Sequence, residues 1–146
     1  MKFVARTDIG KRRRYNEDCY LIDDKIGLFV IADGMGGHNA GDVASQLAVD
    51  VFREWTESSS ITDLFVSEKT TIVDTIDQLV VDANTRIYTE SKMSPTHHGM
   101  GTTLIAGICQ DNLISYVHIG DSRIYLIRQG SITQITIDHS HVQEMV

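Results

Sequence analysis

The sequence has few of the residues and segments that mark disorder, metal-binding cysteine motifs or membranes. One proline in 146 residues, with 42% hydrophobic residues, is typical of a globular protein. The two cysteines, Cys19 and Cys109, lack the spacing of a zinc motif, which favours buried, reduced thiols. No apolar run reaches the roughly 18 residues of a membrane-spanning helix, and the N-terminus has no hydrophobic signal segment. We expect a soluble, cytoplasmic protein with no membrane attachment.

Positive charge is also scarce. Thirteen lysines and arginines against 20 acids give a net charge of -7. Because the nucleic-acid backbone requires a basic surface, this balance argues against a nucleic-acid partner. The length is that of one ordinary domain with a real core, and no repeat, linker or low-complexity tract divides it.

The apolar pattern predicts strands, then two helices, then strands. Amphipathic helices are expected from Asp42 to about Glu57 and over roughly residues 68–91. An edge strand is expected over residues 2–8, and a hairpin over 19–22 and 26–32 with its turn at 23–25. An antiparallel meander is expected over 104–109, 113–119, 123–128 and 132–135. This order indicates an α+β fold of mainly antiparallel sheets with helices packed outside.

Two acids lie at the open end of the predicted hairpin. Asp33 ends an apolar run and precedes Gly34, Gly36 and Gly37, whose expected role is a backbone conformation closed to other residues. Antiparallel pairing would bring Asp18 almost opposite residue 31 or 32. Two carboxylates at so short a distance destabilise a sheet unless a cation lies between them. The hairpin therefore predicts a metal site, to which a glycine could add its carbonyl oxygen.

Other charged residues leave alternatives open. Three of the four cations in the run Lys11–Arg14 are expected to lie in a solvated loop. The fourth is expected to face inward toward phosphate, because an arginine fork matches phosphate oxygens. Asp121 interrupts apolar strands and is either a turn former or a site residue. His97 and His98 are adjacent in a loop, where neighbouring side chains seldom point the same way, so a metal pair is disfavoured.

Several motifs in order closely resemble the metal-dependent serine/threonine protein phosphatases of type 2C, the PPM family, in its bacterial form. They are Gly10-Lys11-Arg12-Arg13-Arg14-Tyr15-Asn16-Glu17-Asp18, Ala32-Asp33-Gly34-Met35-Gly36-Gly37-His38, Gly99-Met100-Gly101-Thr102-Thr103, Gly120-Asp121-Ser122-Arg123 and Thr136-Ile137-Asp138-His139-Ser140. The resemblance implies a four-layer αββα sandwich, of which this chain would form part. It also implies hydrolysis of phosphoserine and phosphothreonine in proteins by a metal-bridged water.

The resemblance further implies a centre of two Mn²⁺ or Mg²⁺ ions, with a third, weaker ion in bacterial members. The implied roles are metal ligation by Asp18, Asp33 and the Gly34 carbonyl, action through water by Glu17, phosphate binding by Arg13 and third-metal ligation by Asp121. Met35 stands where eukaryotic relatives have a histidine thought to protonate the leaving group. His38 is a candidate for that task, and the alternative is a hydrogen bond that structures the loop.

Family catalytic domains are considerably longer than this chain, so residues 1–146 are expected to form a single, C-terminally incomplete PPM-type domain. Two hypotheses follow: a protein phosphatase, or a catalytically incompetent fragment or pseudophosphatase that acts only by binding metal or a partner. The expected partners are phosphorylated proteins, as substrates of a bacterial serine/threonine kinase or the kinase itself. Exposed sheet edges would also permit a homo-oligomer.

Overall fold

A computed structural model of the chain describes residues 2–36, 40–58, 69–110 and 112–139. The helices and strands in chain order are β1 (Asp18–Asp23), β2 (Leu28–Met35), α1 (Gly41–Glu57), α2 (Lys69–Met93), β3 (Gly101–Thr102), β4 (Leu104–Gln110), β5 (Leu113–Ile119), β6 (Tyr125–Arg128) and β7 (Ser131–Gln134). A short 3₁₀ helix, Pro95–His97, follows α2. Both predicted helices are thus confirmed in position.

The main sheet is antiparallel, with strand order β1-β2-β4-β5, and β3 pairs with the end of β2. Strands β6 and β7 form a separate hairpin. The predicted α+β class is confirmed. The predicted meander is present as the hairpins β4–β5 and β6–β7, although β5 and β6 are not paired with each other in the described residues.

One face of the sheet carries the helices. Helix α1 packs on β1 and β2, and α2 packs on α1 and on β4 and β5. Leu28, Val30 and Ala32 alternate along β2 and are fully buried toward the helices, where Phe52 and Ile76 complete the core. This periodicity of two places one face of β2 in the core.

The intervening residues of these strands lie on the opposite face. Tyr20 and Ile31 are direct partners there and are 41% and 46% exposed. The segment Phe3–Thr7 lies along this face and lines a groove with Ile22 and Phe29. Because side chains two residues apart share a face, Asp18 and Asp33 belong to this same side of the sheet.

Two sequence expectations about this region are wrong. The edge strand expected over residues 2–8 does not form. The Thr7 hydroxyl in this segment donates a hydrogen bond to the Asp18 carboxylate. The turn between β1 and β2 covers residues 24–27, and Gly27 has a φ of +71°. That longer turn shifts the register, so Asp18 pairs with Asp33 rather than with residue 31 or 32.

Two smaller expectations concern the thiols and the membrane. Cys19 and Cys109 are free and half-buried, and burial raises the pKa of each thiol. Among the described residues, no helix has a stretch long and apolar enough to cross a bilayer.

Candidate metal centre

Asp18 and Asp33 stand directly opposite each other where β1 begins and β2 nears its end. Partial burial raises the pKa of the Asp33 carboxyl, and the negative charge of Asp18 raises it further. The positive charge of Arg13 opposes these effects, whereas the charge of Asp121 adds to them. The fold therefore brings Asp18, Arg13 and Asp121, three other residues singled out in the sequence, within electrostatic range of Asp33.

The Asp18 carboxylate is held by a short chain of polar side chains. Thr7 Oγ1 donates to Asp18 Oδ2 at 3.1 Å, and Asn16 Nδ2 donates to Thr7 Oγ1 at 2.8 Å. Asn16 Oδ1 in turn accepts from the Asp18 N–H at 3.2 Å. Sequence reasoning missed Thr7, because no local rule of spacing links residues 11 apart outside regular structure. Asn16 adjoins the acidic pair and belongs to the first of the family motifs, and these two features point to it in the sequence.

Thr103 holds the Asp33 backbone from the other side. The Asp33 N–H donates to Thr103 Oγ1 at 3.1 Å, and the Thr103 N–H donates to the Asp33 carbonyl at 2.9 Å. Thr103 is buried, and its Oγ1 lies 2.7 Å from Ser122 Oγ. Since Ser122 follows Asp121, this pair of hydroxyls ties the strand of Asp33 to the turn of Asp121.

Gly34 is glycine because the backbone of α1 comes very close. A Cβ at Gly34 would stand 2.0 Å from the Gly41 carbonyl oxygen, and this distance is too short for any residue that has a side chain. The expectation that Gly34 and Gly36 adopt conformations closed to other residues is wrong, since neither has a positive φ. The Gly34 N–H donates to the Glu17 carbonyl at 3.1 Å. Close packing, not backbone dihedrals, therefore selects Gly34.

Glu17 is anchored against the start of α1. Its carbonyl accepts from Ser45 Oγ at 2.6 Å. Its Oε1 lies 2.7 Å from the point where a Cβ on Gly41 would stand. A carboxylate at this end of a helix is favoured by the helix dipole.

The remaining candidates are more exposed or lie elsewhere. The Arg13 side chain is 64% exposed, with Nη1 3.9 Å from Glu17 Oε2. Asp121 is exposed in the turn after β5. His97 Nδ1 lies 2.9 Å from Glu90 Oε1, which gives it a structural partner. His38 lies outside the described residues.

The donor chemistry at Asp18 and Asp33 fits a hard divalent cation, which prefers carboxylate and carbonyl oxygens. A cation between the two carboxylates would relieve the repulsion that adds to the effect of burial on the pKa of Asp33. The described residues contain no group of three or more histidines, cysteines, aspartates or glutamates arranged around one metal position. This part of the chain therefore offers a pair of ligands rather than a complete coordination shell.

Comparisons with known proteins point to one family. The protein phosphatase 2C family model matches residues 11–145. The serine/threonine protein phosphatase PstP of Mycobacterium tuberculosis is 40% identical over 146 residues, covering 100% of this chain and 26% of that protein. The serine/threonine phosphatase stp of Listeria innocua is also 40% identical, covering 97% of this chain and 56% of its own length.

A solved structure shows the same fold. The catalytic domain of PstP, crystallised with two manganese ions, superposes with a TM-score of 0.80 at 38% identity, covering 96% of this chain and 56% of that one. The chain thus spans little more than half of the Listeria relative and of the PstP catalytic domain. The family match nevertheless covers nearly all of its residues and confirms the resemblance seen in the motifs. The chain belongs to the protein phosphatase 2C family.

Proposed function

We propose that this chain supplies part of a metal-dependent centre that hydrolyses phosphoserine and phosphothreonine in proteins. The direct pairing of Asp18 with Asp33 carries the proposal, because two facing carboxylates are costly without a cation. The two manganese ions in the crystallised PstP catalytic domain support a site of this kind.

In this proposal Asp18, Asp33 and the Gly34 carbonyl bind Mn²⁺ or Mg²⁺, and Asp121 binds a third, weaker ion. Once bound, such ions supply a water of lowered pKa and neutralise charge on the phosphoryl oxygens. Thr7 and Asn16 keep the Asp18 carboxylate in place through the hydrogen bonds described above. Thr103 does the same for the backbone of Asp33.

Arg13 would bind the phosphoryl oxygens of the substrate. Its contact with Glu17 is long and exposed, so little free energy is lost when the guanidinium turns to a phosphate. Glu17 would accept a hydrogen bond from a metal-bound water, with its position fixed by the start of α1. His38 is the proposed candidate for protonating the leaving group.

The proposed substrates are proteins phosphorylated by a bacterial serine/threonine kinase, or that kinase itself. We further propose that residues 1–146 are one incomplete PPM-type domain, since the chain spans 56% of the Listeria relative. The edge strands β1 and β5 of the described sheet could pair with a second copy.

A second candidate function is binding without catalysis. The absence of a three-ligand cluster among the described residues favours it. Under this alternative the chain binds a metal ion weakly through Asp18 and Asp33, or binds a partner, and releases no phosphate.

Phosphate release from a phosphothreonine peptide by the complete phosphatase domain of which this chain is the proposed part, measured with Mn²⁺ and with EDTA, separates the two. The phosphatase proposal predicts Mn²⁺-dependent release that Asp33→Asn abolishes and that Asp24→Asn, in the exposed β1–β2 turn, preserves. Equal release by the wild-type and Asp33→Asn proteins would exclude the proposed site. No release, together with weak Mn²⁺ binding in a calorimetric titration, would establish the binding-only alternative.

A further inference from the structure

The N-terminal segment, residues 2–14, concentrates positive charge in an acidic protein. Six of the 13 cations lie in it with Asp8 as its one acid, which gives the segment a net charge of +5. The whole chain carries -7, so the remainder carries -12. Charge is therefore segregated along the chain, which an ordinary solvated surface does not require.

This segment is attached to the acid pair. Thr7 Oγ1 bonds the Asp18 carboxylate, and Arg13 Nη1 lies 3.9 Å from Glu17 Oε2. Between these contacts the chain makes a tight turn, in which the Gly10 N–H donates to Asp8 Oδ1 at 2.8 Å and Gly10 has a φ of +73°. The cations near this turn are thus carried beside the candidate centre rather than at a distance from it.

Three of those cations have no acidic partner. Arg53, Arg86 and Arg123 each form an ion pair with an aspartate or glutamate. In contrast, the exposed side chains of the basic loop, defined as Lys11, Arg12 and Arg14, form no ion pair or hydrogen bond within the described residues. Their charge is available to a ligand.

We propose that the basic loop binds acidic groups on the substrate next to the phosphorylated residue, so that the favoured substrates are phosphopeptides with neighbouring carboxylates or a second phosphate. This inference rests on the proposed function, in which Arg13 binds the reacting phosphate. Residues adjacent to Arg13 are separated by 3.8 Å per step, and an extended peptide advances about 3.3 Å per residue. Groups two to four positions from the phosphoresidue are therefore within reach of these cations.

The charge distribution favours a short acidic peptide over a nucleic acid or a membrane. Those polyanions extend over a large area, and most of this protein would repel them because the remainder of the chain carries -12. A peptide with two or three local charges meets the basic loop alone. Arginine also presents a planar fork that matches carboxylate and phosphate oxygens.

The test is fluorescence anisotropy with three labelled peptides of one length, each with a non-hydrolysable phosphonate at the central position. One has neutral neighbours, one has three glutamates and one has a second phosphate. We expect the wild-type protein to prefer the two acidic peptides, with a preference that declines as salt rises. The double variant Arg12→Gln/Arg14→Gln should lower that preference about three- to tenfold, as expected for two exposed ion pairs.

Lys25→Gln is the matched control, because Lys25 is exposed in the β1–β2 turn and lies outside the basic segment. It should keep the preference, and circular dichroism should show that all variants are folded. Equal affinity for the three peptides, or an unchanged preference in the double variant, would overturn the inference. Tighter binding of a single-stranded oligonucleotide or of anionic vesicles would also overturn it, by assigning the loop to a polyanion.

The phosphonate peptides make the inference separable from the proposed function, because their binding requires no turnover. Acid-selective binding without phosphate release by the complete domain would refute the phosphatase proposal and retain the basic loop as a binding surface. Phosphate release from both neutral and acidic phosphopeptides at equal kcat/KM would support the phosphatase proposal and overturn the inference about the basic loop.

Discussion

Asp18 and Asp33 face each other across one rung of the β1–β2 ladder, and the pKa of Asp33 is raised by partial burial and by its neighbour's charge. A carboxyl whose pKa is higher in the folded state binds more protons there than in the unfolded chain. Its contribution to stability is therefore present at low pH and is lost as pH rises through the raised pKa. At neutral pH the ionised pair opposes folding of the metal-free protein.

Asp33→Asn should consequently stabilise the metal-free protein at pH 7, by about 0.5 kcal/mol, as expected for removing one of two facing like charges. The same change should abolish Mn²⁺ binding. Urea unfolding in EDTA and in Mn²⁺ measures both effects. Asp24→Asn is the control, and a variant less stable than wild type in EDTA would contradict this account of the pair.

Thr7→Val should weaken Mn²⁺ binding about tenfold, because it removes the hydrogen bond that orients the Asp18 carboxylate. Thr7→Ser keeps the hydroxyl and should keep most of the affinity. Calorimetric titration with Mn²⁺ compares them directly. Equal affinity for the valine and serine variants would show that Thr7 does not position the ligand.

Gly41→Ala should destabilise the protein by about 1–3 kcal/mol, although alanine ordinarily favours a helix over glycine by about 1 kcal/mol. The added Cβ would stand 2.7 Å from Glu17 Oε1 and 2.9 Å from the Gly34 carbonyl carbon. At Gly36 the nearest atoms are 3.4 Å from the Cβ position, so Gly36→Ala should change stability by less than about 0.5 kcal/mol. Thermal unfolding of both variants tests this ranking. A Gly41→Ala protein as stable as the wild type would contradict it.

Arg123 and Asp138 form a two-pronged ion pair, with Nε and Nη2 donating to the carboxylate. The hydrogen bonds from Arg123 lower the pKa of Asp138. A lowered pKa in the folded state contributes stability above the ordinary carboxyl pKa of about 4, and this contribution is lost as pH falls through the lowered value.

Asp138→Asn should therefore reduce the melting temperature at pH 7 and have a progressively smaller effect below about pH 4. Melting curves of the wild-type and variant proteins between pH 3 and pH 7 test this. A difference that is constant across the range would show that the charge of Asp138 contributes nothing.

The sequence predicts the parts of this fold that depend on local repetition. The spacing of Val43, Leu47 and Val51 placed α1, and the alternation of Leu28, Val30 and Ala32 fits the strand that contacts it. The exact register of β1 on β2 was missed, because it depends on a turn of four residues with Gly27 at positive φ. One extra turn residue changes which side chains are opposite each other.

The contacts that support the acids were beyond a sequence argument for a different reason. Thr103 is 70 positions from Asp33, and Thr7 is 11 positions from Asp18 in a segment without regular structure. Such pairs exist only after the chain has folded. The motifs nevertheless contain Asn16, Thr103 and Ser122, so the resemblance points to positions whose contacts are visible only in the folded structure.

The side of the sheet that carries Asp18 and Asp33 also carries Tyr20 and Ile31, which remain substantially exposed in the described part of the chain. Any polypeptide that covers those apolar side chains must come to rest next to the carboxylates. Shielding of the hydrophobic surface and completion of the ligand set would then be a single cooperative event. Under the proposed function, tight metal binding would then depend on covering this face of the sheet, and exposure of Tyr20 and Ile31 would weaken it.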